Sequence, residues 1–444
     1  MNIIIAGAGD VGTHLAKLLA SEEQDILVID EDPERLQTLD ANYNLMTLEG
    51  SPTSFHVMRQ ARMHSCDLFL AVTPSENDNV VACAMAKTIG AKTTVARINT
   101  FDYMADENRV LLEKIGVDQV IYPEYIDAQE IITALRRSWV RHWFELHNGE
   151  IIVVGVKLHN GAPIAGMRLR DFSTVNHDFH VSAIKRGHEI IIPGGNDELR
   201  VDDILYFTCT PANVDNLLTL TGKTSHNIRK VMIMGGGKIT IRLAAMAGNE
   251  FRFKIIEQDY KTCQTLSEKC PDCEIVHGDA RDVDLLVEEG IEESDAFVAL
   301  SGSSEANILT CLTAKELGVP KTVAEVENNQ YISQAEGLNI GTIINKKLLA
   351  SSTIVQLLLD ADTSTPKCLA LTDAEVAELV VKPNSRICGI PVKDLRLSRD
   401  MTLAGFVRDG VGRLVRGDTV FQPGDSVVVF SLMGSLKRIE RLFK

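Results

Sequence analysis

The sequence lacks any apolar run near the ~20 residues that a membrane-spanning helix needs. Its N-terminus also lacks the basic segment and the small-residue cleavage site of a secretory signal peptide. We therefore expect no membrane insertion and a cytoplasmic location.

Positive charge is in short supply, since 45 Lys and Arg stand against 61 Asp and Glu, a formal net charge of −16. Nucleic-acid phosphates need clustered Lys and Arg, so this balance argues against nucleic acid as a partner. It also argues against electrostatic attachment to anionic lipid. The nine cysteines are odd in number and scattered, which fits reduced thiols rather than a disulfide framework.

The first thirty residues contain a complete G-x-G-x-x-G fingerprint in its expected setting. An apolar strand, Asn2-Ile3-Ile4-Ile5-Ala6, leads into Gly7-Ala8-Gly9-Asp10-Val11-Gly12, then a helical pattern and a second apolar strand that ends in Asp30. In such a fingerprint the glycines allow a tight turn, the approach of a pyrophosphate to backbone N–H groups, and close packing of helix on strand. A carboxylate at the position of Asp30 accepts hydrogen bonds from an adenine-nucleotide ribose and repels a 2′-phosphate, which disfavours NADP. The pattern predicts a nucleotide-binding fold, and the alternative is the same fold with a glycine-rich turn and no ligand.

The chain of 444 residues is too long for one core and predicts about three domains. It also contains an internal duplication, because matching residues recur at one constant spacing, as Gly7 with Gly235 and Asn79 with Asn307. Alternating strand and helix patterns in each copy predict an α/β fold with a doubly wound parallel, Rossmann-like sheet. The ligand crevice of such a sheet lies at the carboxyl ends of its strands.

A small module follows each copy. Short alternating strands begin at Glu150, and Val201-Asp202-Asp203-Ile204 is echoed by Pro423-Gly424-Asp425-Ser426. About eighty residues with several glycine turns are enough for a small α+β domain. The predicted boundaries are 1–124 for the first nucleotide-binding domain, 125–142 for a linking or dimer-forming helix, 143–226 for the first small domain, 227–346 for the second nucleotide-binding domain, 347–366 for a second linking helix, and 367–444 for the second small domain.

The segment from Ala128 to Phe144 has apolar residues at helical spacing and carries both tryptophans, Trp139 and Trp143. The pattern predicts one helix over this range. Two interpretations stay open: the helix packs on its own domain, or it is exchanged or forms a dimer contact, since large aromatic residues are favoured at interfaces.

Together these features resemble the tandem RCK family, the regulators of potassium conductance that include the regulatory subunits of Trk potassium uptake systems. The resemblance rests on Ile4-Ile5-Ala6-Gly7-Ala8-Gly9, on Asp30-Glu31-Asp32, on Gly278-Asp279-Ala280, and on the paired small modules. It implies a homotetrameric ring of nucleotide domains, held at the cytoplasmic face of the inner membrane by a potassium channel subunit of the TrkH type. It also implies NAD(H) and ATP or ADP as ligands, and no catalytic turnover.

The resemblance also implies the site residues. At the first site these are Gly7, Ala8, Gly9, Asp10, Val11 and Gly12 for the pyrophosphate loop, Asp30 for the ribose, Ser51, Thr73 and Pro74 for the adenosine, and Arg97 for phosphate. At the second site they are Gly235, Gly236, Gly237, Lys238, Ile239, Glu257 and Ser301. Arg97 has the alternative of an ordinary surface arginine.

The second site departs from the first at three positions. Thr240 replaces the third glycine, so strand and helix cannot approach as closely. Glu325 stands where the first copy has its arginine, whereas Lys238 brings a cation into the glycine loop. Because the cation changes sides of the crevice, we expect the two sites to prefer different ligands or poses.

Metal binding and other functions remain as alternatives. Cys270-Pro271-Asp272-Cys273, with Cys263 and His277 nearby, could bind zinc, but no second paired-ligand motif accompanies it, and we expect no metal. The pair His177 and His180 is expected to be solvated in a turn. An NAD-dependent dehydrogenase would need a larger substrate domain with an acid–base group, and a redox-sensing transcription factor would need a basic recognition helix. The sequence therefore favours a nucleotide-sensing regulatory subunit.

Overall fold

The computed structural model describes residues 1–20, 24–187, 189–361, 367–370, 374–432 and 442–443. They form two Rossmann-like domains, each followed by a small domain with an antiparallel sheet, in the predicted order. Within these ranges, none of the helices combines the length and the hydropathy that crossing a bilayer requires.

The first Rossmann-like domain alternates strands and helices. Its elements are β1 (Asn2–Ala6), α1 (Asp10–Ala20), β2 (Asp25–Asp30), α2 (Pro33–Asn42), β3 (Met46–Glu49), α3 (Phe55–Gln60), β4 (Leu68–Ala71), α4 (Glu76–Ile89), β5 (Thr93–Arg97), α5 (Asp106–Lys114), β6 (Gln119–Ile121) and α6 (Pro123–Arg136). The strands are parallel, in the order β3-β2-β1-β4-β5-β6. The order reverses between β1 and β4, which is where a doubly wound sheet opens a crevice.

The central strand β1 is buried on both faces of its sheet. Ile3 and Ile5 pack with Leu15 on one side, while Ile4 packs with Phe69 on the other. A strand covered on both faces carries a continuous apolar run instead of alternation. This is why the N-terminal run of isoleucines predicts the strand correctly.

The first small domain follows. Its elements are β7 (His142–Leu146), β8 (Ile151–Lys157), α7 (Leu169–Val175), β9 (His180–Arg186), β10 (Glu189–Ile191), β11 (Ile204–Cys209) and α8 (Asn216–Thr221). The sheet is antiparallel, in the order β10-β9-β11-β8-β7.

The second Rossmann-like domain repeats the first. Its elements are β12 (Lys230–Met234), α9 (Lys238–Ala247), β13 (Arg252–Glu257), α10 (Tyr260–Lys269), β14 (Glu274–His277), α11 (Val283–Glu288), β15 (Ala296–Ala299), α12 (Ser304–Glu316), β16 (Lys321–Glu325), α13 (Asn329–Gly337), β17 (Thr342–Ile344) and α14 (Lys346–Ala361). The parallel order β14-β13-β12-β15-β16-β17 matches that of the first sheet strand for strand. The duplication predicted from the sequence is confirmed.

The second small domain has the topology of the first. Its strands are β18 (Lys367–Ala370), β19 (Ala374–Val380), β20 (Met401–Arg408), β21 (Val411–Leu414) and β22 (Ser426–Leu432), in the order β18-β19-β22-β20-β21. Both small domains contain the same arginine–aspartate pair, Arg186 with Asp203 at 2.7 Å and Arg408 with Asp425 at 2.6 Å. Burial raises the pKa of Asp425, but hydrogen bonds from Arg408 and from the Gln422 N–H outweigh it, so the net pKa lies below the usual range.

The described chain groups into two compact units, of which the first comprises Met1–Asp127 and Lys346–Leu358. In this unit α14 packs on the core of the first Rossmann-like domain through Ala350 and Ile354. Helix α14 therefore follows the second Rossmann-like domain in the sequence but packs on the first.

The second unit comprises Ala128–Asn345 and Leu359–Lys444. In it, the end of α6 is tied to the second Rossmann-like domain, because Arg136 forms a bidentate pair with Glu250 at 2.9 and 2.7 Å. The interpretation that this helix is exchanged or forms a dimer contact stays a prediction.

The predicted helix from Ala128 to Phe144 is wrong in its second half, because α6 ends at Arg136. Trp139 lies in a turn, and Trp143 lies in β7. The guanidinium of Arg137 lies 3.4 Å from the centroid of the Trp143 ring, across this turn. The predicted linking helices are thus Pro123–Arg136 and Lys346–Ala361 in the structure, and residues 362–366 of the second prediction lie outside the described residues.

Candidate functional site

The first crevice opens where the strand order reverses, between the loops that follow β1 and β4. A cavity of about 420 Å³ lies there. Its lining includes the predicted Gly7, Asp30, Ser51, Thr73 and Pro74, together with Arg35 from α2.

Asp30, at the end of β2, is hydrogen-bonded to the glycine loop. One carboxylate oxygen accepts from the Ala8 N–H at 2.5 Å, and the other accepts from the Asp32 N–H at 2.9 Å. A carboxylate has about four acceptor positions, so two remain for a ligand. The side chain that the sequence assigned to a ribose is thus also part of the loop that would hold the phosphates.

The second copy has the same arrangement with a longer side chain. Glu257, at the end of β13, accepts from the Gly236 N–H at 2.7 Å and from the Asp259 N–H at 2.7 Å. Despite the extra methylene, the glutamate accepts from N–H groups at the same two places in the fold as Asp30 does. Both copies therefore place a carboxylate with free acceptor positions beside a glycine loop.

The first glycine loop is shaped by the close approach of helix and strand. Gly7 has φ +109°, a conformation that L residues rarely adopt. A Cβ on Gly12 would lie 1.8 Å from the Gly7 carbonyl oxygen, so no other residue fits there without movement of α1. The loop ends at Asp10, the first residue of α1, so it leads into a helix N-terminus, where backbone N–H groups lack intrahelical acceptors.

In the second loop Thr240 stands where the first has its third glycine. Its hydroxyl donates to the Gly235 carbonyl oxygen at 2.7 Å. The contact that excludes a Cβ in the first copy is therefore a side-chain hydrogen bond in the second. The difference in helix–strand spacing stays a prediction.

A buried asparagine joins the two strand ends on the far side of the first crevice. Asn79, in α4, accepts from both the N–H and the hydroxyl of Thr73, at 3.0 and 2.7 Å. Its amide nitrogen donates to the carbonyl oxygens of Thr73 and Arg97, each at 2.9 Å. The ends of β4 and β5 are therefore held at a fixed separation.

Asn307, in α12, repeats this network in the second copy. It accepts from the N–H and hydroxyl of Ser301 at 3.0 and 2.6 Å, and donates to the carbonyl oxygens of Ser301 and Glu325 at 2.9 Å each. The predicted Ser301 thus has a structural partner as well as a place in the crevice.

The second crevice contains a cavity of about 490 Å³. The predicted Gly235, Gly236, Gly237, Glu257 and Ser301 line it. Three further lining residues, Thr262, Asp279 and Arg281, were missed by sequence reasoning.

Each crevice contains an arginine that is paired with a nearby aspartate. Arg35 Nε lies 3.1 Å from Asp32 in the first, and Arg281 lies 2.6 Å from Asp279 in the second. The hydrogen bond from Arg281 lowers the pKa of Asp279, which stays ionised. Arg35 projects from α2 and Arg281 from the loop that follows β14, so the cations enter the two crevices from different elements.

Several predicted residues do not line the two cavities. Among described residues, the lining of the first cavity omits Ala8, Gly9, Asp10, Val11, Gly12 and Arg97, and that of the second omits Lys238 and Ile239. Val11 and Ile239 are buried in the core. Arg97 is half-buried, and its Nε has no hydrogen-bond partner among the described residues.

The charged residues at the starts of α1 and α9 differ in their surroundings. Asp10 lies 3.2 Å from Lys347 of α14, within the first unit. Lys238 is exposed at the first turn of α9. Lys347 therefore partly offsets the charge difference between Asp10 and Lys238. The sequence analysis did not include this lysine.

The structure provides no metal site for the cysteine motif. Among the residues described, no group of three or more His, Cys, Asp or Glu side chains is arranged to hold a metal ion. His277 instead lies beside the Gln258 carbonyl, with Nε2 at 3.1 Å from its oxygen.

Comparison with known families agrees with this architecture. The TrkA-N domain model matches residues 3–123 and 231–346, and the TrkA-C domain model matches residues 153–222 and 376–444. The chain therefore belongs to the TrkA family, with two tandem TrkA-N and TrkA-C pairs.

Individual proteins give the same result over the full length. The Trk system potassium uptake protein TrkA of Haemophilus influenzae is 32% identical over 100% of this chain and 99% of its own. TrkA of Halomonas elongata is 30% identical, also over 100% and 99% of the two chains.

Solved structures show the fold. The GsuK channel bound to NAD aligns with 100% of this chain and 78% of its own, at a TM-score of 0.63 and 17% identity. GsuK bound to ADP aligns with 81% and 70% of the two chains, at a TM-score of 0.52 and 15% identity. The recognition of a tandem RCK architecture is confirmed.

Proposed function

We propose that this chain is a nucleotide-sensing regulatory subunit that binds NAD(H), and ATP or ADP, in its two crevices and gates a membrane potassium uptake channel. The observation that carries the proposal is the repeated hydrogen bond between a strand-end carboxylate and a glycine-loop N–H. The names of the curated relatives and the NAD and ADP in the titles of the GsuK structures support the same ligand class and role.

The residues present fit an adenine dinucleotide. Asp30 and Glu257 keep acceptor positions that two ribose hydroxyls can fill. The helix N-termini at Asp10 and Lys238 supply N–H groups for a pyrophosphate. The Nε of Arg97, buried without a hydrogen-bond partner among the described residues, suits an added acceptor such as a phosphate oxygen.

Binding regulates only if the ligand prefers one conformation. A nucleotide with equal affinity for two shapes of the assembly shifts nothing, however tightly it binds. We infer that the chain assembles as a homotetramer on the cytoplasmic face of the channel subunit, so that preference for one shape becomes a change in channel opening. No reaction step is required, and we propose that the chain is not an enzyme.

The two crevices are proposed to prefer different ligands or poses. The Thr240 hydroxyl makes a hydrogen bond to the second loop that Gly12 cannot make to the first, and Arg35 projects from α2 whereas Arg281 projects from the loop after β14. Calorimetric titration of NADH and ATP into Asp30→Ala and Glu257→Ala proteins isolates each crevice in turn. An identical order of affinities at both crevices contradicts the difference.

The role itself is tested with the partner. Potassium flux through a TrkH-type channel in proteoliposomes should change when the chain and a nucleotide are added together. The chain with Asp30→Ala and Glu257→Ala combined should bind the channel yet respond less to nucleotide. The proposal is overturned if nucleotide does not change the potassium flux in the presence of the unaltered chain. It is also overturned if the chain turns over NADH with a metabolite.

A further inference from the structure

Two cysteines face a cavity that shares no lining residue with either crevice. Cys270 and Cys273 lie between α10 and β14, on a cavity of about 440 Å³. The same cavity is lined by the exposed cations Arg252 and Lys269 and by one exposed carboxylate, Asp272. The nucleotide-regulated function assigns nothing to this place.

The backbone brings the two thiols together. The N–H of Cys273 donates to the carbonyl oxygen of Cys270 at 3.0 Å, with Pro271 at the second position of the turn that this bond closes. A β-turn holds its first and fourth Cα atoms within about 7 Å, a range that overlaps the ~4.4–6.8 Å of disulfide-bonded cysteines.

The pair differs electrostatically from other cysteines of the chain. The hydrogen bond from Cys273 and the charge of Lys269 together outweigh burial and lower the pKa of Cys270 to about 7, while the pKa of Cys273 is raised. Burial raises the pKa of Cys66, Cys83, Cys209, Cys263 and Cys311. A thiolate is the nucleophile in disulfide exchange, so Cys270 is the reactive member of the pair.

We propose that Cys270 and Cys273 form a thiol–disulfide exchange site whose cavity receives a low-molecular-weight disulfide that carries carboxylates. The cavity wall carries two cations and one carboxylate. This excess of positive charge favours an acidic molecule over a neutral one. The half-buried Cys273 stands where it can attack a sulfur bound to Cys270.

The exchange balances in two steps. The Cys270 thiolate attacks one sulfur of the small disulfide, forms a mixed disulfide with it, and releases the other half as a thiolate, which takes up a proton. Cys273 then loses its proton and attacks the Cys270 sulfur, which releases the second half as a thiol. The protein dithiol is oxidised by two electrons, and the small disulfide is reduced to two thiols.

The test uses glutathione disulfide as the probe and the full-length chain. Peptide mass spectrometry should find a Cys270–Cys273 disulfide in the unaltered protein and a stable glutathione adduct on Cys270 in Cys273→Ser. Cys388→Ser, which removes a half-buried thiol of the second small domain, should leave disulfide formation unchanged. The proposal is overturned if the unaltered protein forms no disulfide, or if Cys273 of Cys270→Ser takes up glutathione as fast as Cys270 of Cys273→Ser does.

The charge of the cavity is tested separately. Arg252→Gln should slow the reaction with glutathione disulfide by about fivefold, and should slow uncharged hydroxyethyl disulfide much less. Lys269→Gln should slow both disulfides, because the charge of Lys269 also lowers the pKa of Cys270. Lys261→Gln removes an exposed cation of α10 that does not line the cavity, and should leave both rates unchanged. Equal slowing of both disulfides by Arg252→Gln contradicts the acidic substrate class.

Discussion

The Asp30 carboxylate accepts a hydrogen bond from the backbone N–H of Ala8. The acid that follows β2 and the loop that follows β1 are therefore one structural unit, and Glu257 with Gly236 repeats it. A residue that the sequence assigned to ligand binding thus has a structural role in holding the glycine loop.

Replacing Asp30 by Ala should lower both nucleotide affinity and stability. It removes the ribose acceptor and leaves the N–H groups of Ala8 and Asp32 without their acceptor, a loss of about 1–3 kcal/mol. Calorimetric titration with NADH and thermal unfolding without ligand separate the two effects. Glu31→Gln, at an exposed carboxylate of the same cavity, should leave thermal stability unchanged. An unchanged NADH affinity in Asp30→Ala contradicts the ribose assignment.

Gly12→Ala should destabilise the first Rossmann-like domain. Because the new Cβ would lie 1.8 Å from the Gly7 carbonyl oxygen, α1 must move, at about 3 kcal/mol. Gly9→Ala is the matched control, since a Cβ there has no heavy atom within 4 Å. Thermal unfolding should show a lower midpoint for the first variant and little change for the second. Equal midpoints would show that the loop is not closely packed on the strand.

Asn79→Ala should separate the ends of β4 and β5. The variant leaves buried donors and acceptors of Thr73 unpaired and should cost about 2–4 kcal/mol of unfolding free energy. Asn307→Ala should behave alike in the second copy. Asn108→Ala, which removes one exposed hydrogen bond to the Asp102 carbonyl oxygen, should change stability by less than about 0.5 kcal/mol. Urea titration measures all three, and a mild Asn79→Ala would show that the network does not hold the strands.

His142 should make stability depend on pH. Burial, with the charges of Lys185, Arg141 and Lys321, lowers its pKa to about 3. An unfolded histidine takes up a proton below about pH 6.5, so between these pH values the unfolded chain binds more protons and stability falls as pH falls. His142→Phe should flatten the decline in urea titrations between pH 6.5 and 4.

Some decline should persist in that variant, because burial also lowers the pKa of His180, to about 4. His177→Gln, at an exposed histidine, is the control and should keep the slope of the unaltered chain. If His142→Phe leaves the slope of unfolding free energy against pH unchanged, a group other than His142 causes the decline.

The sequence predicted the strands more accurately than it predicted where helices end. The apolar runs of β1 and β4 are unambiguous because both faces of a parallel sheet are covered. Trp139 and Trp143 keep a helical spacing, but pairing of β7 with β8 takes the chain out of the helix after Arg136. Helical periodicity of apolar residues does not report such a hairpin, because Trp139 and Trp143 fit the helical spacing whether or not the chain continues as a helix.

The backbone features of the two crevices were predicted from the sequence. The individual side chains that enter the crevices from neighbouring elements were missed. The glycine loops and their acids follow from a fingerprint with a fixed geometry. Arg35 and Arg281 enter the crevices from a helix and a loop whose paths depend on tertiary packing. The signal that could have found them is an aspartate two or three positions earlier, Asp32 or Asp279, which pairs with each arginine.

Because each strand-end acid braces its glycine loop before any nucleotide arrives, the two cradles are preorganised. Under the proposed function, a nucleotide would spend little binding energy on ordering them. Differences between the two crevices would come instead from side chains that change between the copies, such as Arg35, Thr240 and Arg281.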